Sequence, residues 1–182
     1  MKGKDKEGNS IIYIMGNRLG PDTYESLDEH MDSVYYLLEV VCAEILEDPM
    51  DKFTIVYNRL DIDSTKSDNE WVKEIGKALA DHYPERMKRC LVYPTNTIFR
   101  YIWNIVKIFF DPVTAAKIQF VGTQEDLYKW VDKDQLLMCV GGTDPYVYDP
   151  SHVQTKGMIS DEVKNMKRVA PKAQTVYDFL DE

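Results

Sequence analysis

The chain has 182 residues, of which 44% are hydrophobic and 12% aromatic, so it predicts one domain with a sizeable core and excludes a disordered or collagen-like polypeptide. Lysine and arginine total 22 against 31 aspartate and glutamate residues, and the formal net charge is -9. Binding to nucleic acid depends on cations that neutralise phosphates, so such an acidic chain is expected to have no nucleic-acid partner.

Four short runs rich in β-branched and aromatic residues predict strands at 11–15, 53–60, 90–93 and 118–121. Most of these runs are continuously apolar, which is typical of strands covered on both faces. Helical patterns lie between and after the strands, at 24–47, 69–83, 97–110 and 124–131. The alternation predicts an α/β fold with a mostly parallel sheet, flanking helices and right-handed crossovers.

Beyond about residue 143 the chain becomes rich in proline and charge, and we expect a peripheral segment with one weak helix at 161–169. The charged N-terminus has no apolar stretch of the signal-peptide type behind it. The longest mostly apolar segment, 98–110, is too short to span a bilayer, which needs about 20 apolar residues. We therefore expect a soluble, cytoplasmic protein.

The cysteines Cys42, Cys90 and Cys139 are an odd number without close spacing. This pattern predicts reduced, mostly buried thiols rather than disulfides. A metal site needs paired ligands at short spacing, so we expect no metal and no cofactor.

Candidate catalytic groups are few. His30, His82 and His152 lie on separate elements without the neighbours of a catalytic histidine, and we expect ordinary surface or half-buried side chains. Asp61 and Asp63 follow a predicted strand in a pattern similar to the nucleophile motif of haloacid-dehalogenase-type phosphotransferases. That motif belongs on a first strand, whereas a strand and a long helix precede it here. A solvated turn is the plainer interpretation, and no catalytic residue is assigned.

The segment 97–110 is the most unusual part of the sequence. On a helical wheel, Ile98 and Ile105 share one face with Ile102 and Phe109. A neighbouring face is also apolar, and it contains four residues: Phe99, Trp103, Val106 and Phe110. A helix that is apolar almost all round is either deeply buried or covers something apolar, such as a ligand, a membrane or a partner groove.

Four stretches in this order resemble the CRAL-TRIO lipid-binding domain family. They are Phe-Thr-Ile-Val-Tyr at 53–57, His-Tyr-Pro-Glu-Arg at 82–86, the segment 103–114 followed by Lys117 and Ile118, and the closing region 126–143 that ends in Gly-Gly-Thr. The resemblance covers about 5–145 and makes 146–182 an acidic C-terminal extension. It implies a lipid or similar hydrophobic ligand in a cavity between the sheet and a gating helix at 98–110.

The resemblance also implies roles for individual residues. The gating helix would cover the ligand with seven side chains: Ile98, Phe99, Ile102, Trp103, Val106, Phe109 and Phe110. Tyr57 and Tyr93 are candidates for the floor of the cavity, although a core role is equally open for either. Arg100 and Lys107 would face lipid phosphates at a membrane surface, where the protein would associate transiently. The implied function is non-enzymatic binding, with transfer or sensing of the lipid.

Three departures from the family pattern bear on function. The helical subdomain that usually precedes the first strand of the family is expected to be absent from this chain, either because the chain is an excised module or because it is a naturally short form. Cys139 stands where family members that bind phosphatidylinositol carry a lysine, so no inositol-phosphate contact is expected there. The residues at 93–96 and 103–104 are closer to the branch found in Rho GTPase-activating proteins. That branch implies the alternative function of a protein-interaction module, for example for small GTPases, with a filled pocket.

Overall fold

The structure, a computed structural model, describes residues 2–18, 26–45, 52–62, 69–83 and 85–147. Its centre is a four-stranded sheet in the order β1-β2-β3-β4, and all neighbouring pairs are parallel. The strands are β1 (Ser10–Met15), β2 (Phe53–Asn58), β3 (Met87–Tyr93) and β4 (Ile118–Phe120). The predicted α/β fold with a parallel sheet is confirmed.

One face of the sheet carries the connecting helices. The described helices are α1 (Leu27–Ile45), α2 (Asn69–His82), α3 (Thr97–Val106), α4 (Pro112–Ala116) and α5 (Gln124–Leu127). Because successive strands are neighbours, right-handed crossovers place their connections on the same side. Leu38 of α1 and Leu79 of α2 pack there with Phe53 and Ile55. We call this side the helix-bearing face.

The opposite face is covered by the segment that follows β4. Ile11, Val56 and Leu91 are completely buried on this side. They pack against four further buried residues: Leu127, Val131, Leu136 and Val140. Each such burial contributes roughly 1.5–3 kcal/mol, so this segment is part of the core. The strands are therefore covered on both faces, as the apolar runs predicted.

Two successive glycines end this covering segment. Gly141 has a φ of 92°, a left-handed conformation that glycine adopts without steric cost. A Cβ on Gly142 would collide with the backbone carbonyl of Leu136. The Gly-Gly pair is therefore required by backbone geometry.

A buried carboxylate fastens the N-terminal turn to the sheet. Asp5 Oδ1 accepts hydrogen bonds from the backbone N–H groups of Glu7 and Asn9, both at 2.9 Å. Its Oδ2 accepts a hydrogen bond from Thr54 Oγ1 of β2 at 2.6 Å. Residues far apart in sequence thus share one polar cluster, which local patterns did not predict.

Arg89 of β3 completes this cluster. Its Nη1 lies 3.9 Å from Asp5 Oδ2, and its Nη2 donates to Glu7 Oε1. The guanidinium carbon lies 4.7 Å from the centroid of the Trp130 ring. Hydrogen bonds from Lys88 and Arg89 lower the pKa of Glu7. The buried strand position of Arg89 is tolerated because carboxylates surround it.

A short helix, α4, was not predicted from the sequence. Asp111 caps it by accepting hydrogen bonds from the backbone N–H groups of Val113 and Thr114, both at 2.9 Å. Hydrogen bonding by Thr114 is the main cause of the lowered pKa of Asp111. Pro112 occupies the first helical turn, where its missing N–H costs nothing. The predicted helix 97–110 stops just before this cap, and no helix was predicted at 112–116.

Several element boundaries also differ. β3 begins three residues before the predicted strand 90–93, and β2 ends at Asn58 rather than at residue 60. The predicted helix 97–110 ends at Val106, after which Lys107–Phe109 forms a 3-10 turn. The predicted helix 124–131 is helical only over α5. The weak helix predicted at 161–169 lies outside the described residues.

None of the three cysteines forms a disulfide bond in the part of the chain that the structure describes. Cys42 and Cys90 are half-buried, and burial raises the pKa of Cys90 to about 12. Cys139 is exposed, which corrects the expectation of a mostly buried thiol. Its 3-10 turn, Met138–Val140, directs Val140 into the core and leaves the two preceding side chains in solvent.

The two described histidines differ in burial. His30 of α1 is buried, contrary to the surface or half-buried position expected for it. His82 is exposed and meets the Tyr35 ring edge-on at 5.6 Å. His152 lies outside the described residues. Among the described residues no group of histidine, cysteine and acidic side chains could hold a metal ion.

Candidate functional site

An apolar row crosses the helix-bearing face at the carboxyl ends of the strands. Ile14 of β1 is in register with Tyr57 of β2, which is in register with Val92 of β3 and, through it, with Phe120 of β4. Side chains in register lie on the same face of a sheet. We call these four residues the floor row.

Helix α3 lies against the β4 end of the floor row. The rings of Phe99 and Trp103 each meet the Phe120 ring at a centroid distance of 5.6 Å, edge to face. Trp103 also contacts Phe110 at 5.2 Å. Such aromatic pairs contribute about 0.5–1.5 kcal/mol beyond the area they bury. The aromatic side of α3 therefore faces the sheet.

The N-terminus of α3 is capped where the helix leaves β3. Asn96 Oδ1 accepts a hydrogen bond from the Phe99 backbone N–H at 2.9 Å, which satisfies one of the free donors of the first turn. The cap sets the starting direction of the helix and brings Phe99, one turn later, over Phe120.

The outer side of α3 and of the turn that follows it is apolar and exposed. Four large side chains line it, with exposed fractions of 69% for Ile98, 71% for Tyr101, 57% for Ile105 and 72% for Ile108. Their spacing of three and four residues forms one stripe along the helix. Arg100 and Lys107 are also exposed. We call these six residues the outer stripe. Exposed apolar surface of this kind is typical of a contact with a membrane or a partner.

The structure brings together only part of the predicted site. Tyr57, Phe99, Trp103 and Phe110 are half-buried on the helix-bearing side. The side chains of three other predicted residues lie outside the described part of the chain: Ile102, Val106 and Phe109. That these three residues cover the ligand therefore remains a prediction.

Two predicted lining residues lie elsewhere in this structure. Tyr93 is buried in the core of the opposite face with Ile11 and Val121, so it takes the core role that was left open for it. Ile98 belongs to the outer stripe rather than to the side of α3 that faces the sheet. Both residues lie in continuous apolar segments. Such segments have no polar face, so the sequence does not indicate which side of the element each residue takes.

Two residues of the site were missed from the sequence. Phe120 was seen only as part of a strand, and Arg59 was an uncommented charge in the predicted strand 53–60. Arg59 Nη1 donates a hydrogen bond to the Pro94 carbonyl at 3.2 Å, and its guanidinium carbon lies 4.0 Å from the Phe99 ring centroid. A cation at the end of an apolar strand was the available signal for Arg59.

Gly76 of α2 packs against Phe110, the last residue of the segment 97–110. A Cβ on Gly76 would lie 2.5 Å from Phe110 Cε1 and 2.9 Å from Phe110 Cδ1. No side chain other than hydrogen leaves room for the ring there. Phe110 in turn supports Trp103, so α2 holds the carboxyl end of α3 through one close contact.

We expect the substitution Gly76→Ala to loosen the α3 segment even though alanine favours a helix by about 0.8–1 kcal/mol. Overpacking costs about 1–3 kcal/mol, and displacement of Phe110 would raise amide hydrogen exchange over 97–110 roughly tenfold. Lys77→Ala, at the exposed neighbouring position of α2, is the control. Equal exchange in the two variants would contradict the proposed role of this contact.

A small cleft lies elsewhere, between α2 and α4. It has a volume of about 150 Å³, and its walls include Leu79, Tyr83, Met87, Thr114 and Lys117. Pockets for drug-sized ligands have about 300–1,000 Å³, so this cleft does not match a lipid. It lies at the amino-terminal ends of β3 and β4, away from the floor row.

The residues of the alternative phosphotransferase site are only partly described. Asp61 is exposed in the turn after β2 and has a φ of 61°. Asp63 lies outside the described residues.

No described helix is both long and apolar enough for a membrane crossing.

Comparisons with known proteins identify the family. The model of the CRAL/TRIO domain matches residues 1–142. Phosphatidylinositol transfer protein CSR1 of Eremothecium gossypii is 33% identical over 152 residues, which are 82% of this chain and 34% of that protein. CRAL-TRIO domain-containing protein C3H8.02 of Schizosaccharomyces pombe is 26% identical over 177 residues, 96% of this chain and 39% of that protein. The chain thus spans little more than a third of either relative.

A solved structure supports the same fold. The crystal structure of Sfh5 superposes with a TM-score of 0.61 over 81% of this chain and 55% of that chain, at 15% sequence identity. At this identity the likeness concerns the fold alone. Together with the match over 1–142, it leads to one conclusion: the chain belongs to the CRAL/TRIO domain family.

Proposed function

We propose that this chain binds one phospholipid between the floor row and α3, and that α3 is the helix that opens and closes this space. The observation that carries the proposal is the division of α3 into two apolar sides. Its aromatic side contacts Phe120, while the outer stripe remains exposed. A helix that only completed a core would be expected to expose mainly polar residues, whereas four large apolar side chains of the outer stripe are exposed here beside Arg100 and Lys107.

The relatives' names support a phospholipid as the ligand. The Eremothecium relative is named a phosphatidylinositol transfer protein, and an Arabidopsis relative is named for transfer of phosphatidylinositol and phosphatidylcholine. Each acyl methylene removed from water contributes about 0.8 kcal/mol, so a covered apolar floor can hold chains that water rejects. Lipid entry requires α3 to move, because Phe99 and Trp103 rest directly on Phe120 in this structure.

The outer stripe would meet a membrane during exchange of the lipid. Its apolar side chains would enter the interface, and Arg100 and Lys107 would each add about 1 kcal/mol near anionic lipids. The protein would then be cytoplasmic and associate with membranes transiently, transferring or sensing lipid without catalysing a reaction.

Native mass spectrometry of the purified protein, followed by solvent extraction and lipid identification, tests the proposal. We expect close to one phospholipid for each chain. A protein that is empty and also takes up no lipid from phosphatidylcholine and phosphatidylinositol liposomes would contradict it. The test asks only whether a phospholipid is bound, whichever headgroup that lipid carries.

A protein-interaction module is a second candidate function. The observation in its favour is that the aromatic rings of α3 contact Phe120 directly and occupy part of the space that a lipid would need. In that case the outer stripe would bind a protein, for example a small GTPase. Binding of the partner in pull-down would then survive organic extraction of the chain, and the extract would contain no stoichiometric lipid.

The phosphotransferase alternative makes a separate prediction. It requires Mg²⁺-dependent hydrolysis of a phosphate ester that is abolished by Asp61→Asn. Absence of any turnover in the unmodified chain eliminates this alternative.

A further inference from the structure

Arg59 directly follows the end of β2, next to the floor row. It lies two residues beyond Tyr57, so the alternation of a strand directs both side chains to the helix-bearing face. The cation–π contact with Phe99 confirms that Arg59 is beside α3. A guanidinium and a phenol therefore stand at the carboxyl edge of an apolar surface.

The charge of Arg59 has no opposite charge near it among the described residues. Its side chain is half-buried, and burial lowers the pKa of Arg59, although the group remains a cation at neutral pH. Within the described ranges, no carboxylate lies within ion-pair distance of it. By contrast, Arg89, another described arginine that lies against an aromatic ring, has two carboxylates beside it. A half-buried cation without a counterion is costly unless a ligand provides one.

The hydrogen-bonding groups of this pair are also incompletely used. Of the five N–H donors of a guanidinium, the described contacts account for one, the bond from Nη1 to the Pro94 carbonyl. Burial raises the pKa of Tyr57, so its hydroxyl stays neutral and can donate a hydrogen bond. No described group forms a hydrogen bond with this hydroxyl. Donors are thus available and acceptors are lacking.

One ligand group could satisfy these donors while Arg59 keeps its contact with the Phe99 ring. The guanidinium carbon lies over the Phe99 ring, and the described hydrogen bond to Pro94 uses only one of the N–H groups. An anion with two oxygens binds in the plane of a guanidinium, along that edge. Stacking on the helix and binding of an anion are therefore compatible.

We propose that Arg59 and Tyr57 form the polar subsite of the ligand cavity and bind the phosphate group of the lipid. The inference rests on the proposed function and adds the chemical class of the headgroup contact: an acidic phosphodiester rather than an uncharged polar group. It also makes Arg59 a link between ligand and helix, since the same side chain contacts Phe99 and Pro94.

The test compares two fluorescent lipids with identical pyrene-labelled acyl chains, phosphatidylcholine and diacylglycerol, which differ in the phosphate-bearing headgroup. Arg59→Gln removes the charge and keeps the length of the side chain. We expect it to weaken phosphatidylcholine binding about tenfold or more, because hydrogen bonds to a charged group are among the stronger ones, and to leave diacylglycerol binding within about twofold. Lys129→Gln, which removes an exposed cation in the segment that covers the opposite face of the sheet, is the control and should change neither affinity.

Three outcomes would overturn the subsite. Unchanged phosphatidylcholine binding by Arg59→Gln would do so directly. An equal loss for both lipids would assign Arg59 to holding α3 rather than to the headgroup. Arg59-dependent binding of inorganic phosphate to the lipid-free chain, without a preference for phosphatidylcholine over diacylglycerol, would identify a site for soluble phosphate instead.

The same measurement separates this inference from the proposed function. A wild-type chain that binds neither lipid contradicts lipid binding itself, and the subsite with it. A wild-type chain that binds both lipids, with a variant that does not distinguish them, contradicts the subsite alone.

Discussion

Trp103→Asp is expected to weaken lipid binding strongly while the sheet remains folded. Trp103 contacts Phe120 and Phe110, and an aspartate there would place a charge in the apolar contact between α3 and the sheet. Truncation of a buried tryptophan costs about 3–5 kcal/mol. For this half-buried ring we expect about 2 kcal/mol, which corresponds to a roughly 30-fold loss of affinity. Fluorescent-lipid titration measures the affinity, and circular dichroism verifies the fold.

The matched control is Tyr101→Asp, an aromatic residue of the same helix in the outer stripe. It should retain lipid in solution like the wild type, because its ring points away from the floor row. Its transfer of lipid between vesicles should be slower, since a charge would replace an apolar membrane contact. Equal lipid retention by the two variants would refute the assigned orientation of α3.

Asp5→Ala is expected to reduce the free energy of unfolding by about 3 kcal/mol. The substitution leaves Thr54 Oγ1 and the Asn9 backbone N–H without their acceptor in a buried site. It also removes one of the two carboxylates beside Arg89, whose charge is almost fully buried. A loss of this size is a large part of the stability of an ordinary domain. Urea denaturation followed by circular dichroism measures it.

Asp132→Ala provides the comparison for this prediction. Asp132 forms an ion pair with Lys6 at 3.3 Å, but its side chain is 65% exposed. Exposed pairs contribute about 0–1 kcal/mol, so this variant should unfold close to the wild type. If the two alanine variants unfold at the same urea concentration, Asp5 does not fasten the N-terminal turn as described.

Much of the architecture was predictable from local patterns. The strands and the helices α1 to α3 were located because apolar periodicity and terminal signals act over short distances. The order of strands and helices then implied a parallel sheet. The same patterns missed α4, because a five-residue helix has no periodicity, and its cap lies directly after an apolar segment.

The orientation of the site was not predictable in the same way. The helical wheel of 97–110 has apolar residues on nearly every side, so periodicity alone could not choose the side that faces the sheet. The contacts of Phe99 with Phe120 and Arg59, which lie on other elements, determine which side of the helix faces the sheet. Likewise, β2 and β3 are apolar on both faces, and the alternation could not tell that Tyr57 faces the helices and Tyr93 the opposite core.

The sequence by itself determined the fold class, the family resemblance and the unusual character of 97–110, since these depend on residue types and short-range spacing. Only the tertiary structure decided which aromatic residues meet, where the outer stripe lies and why Arg59 stands beside an apolar floor. The contacts of Asp5 with Thr54 and Arg89 were likewise decided only by the tertiary structure, for the same physical reason. Contacts between residues that are distant in the chain depend on strand register and crossover direction, and local patterns carry no information about either.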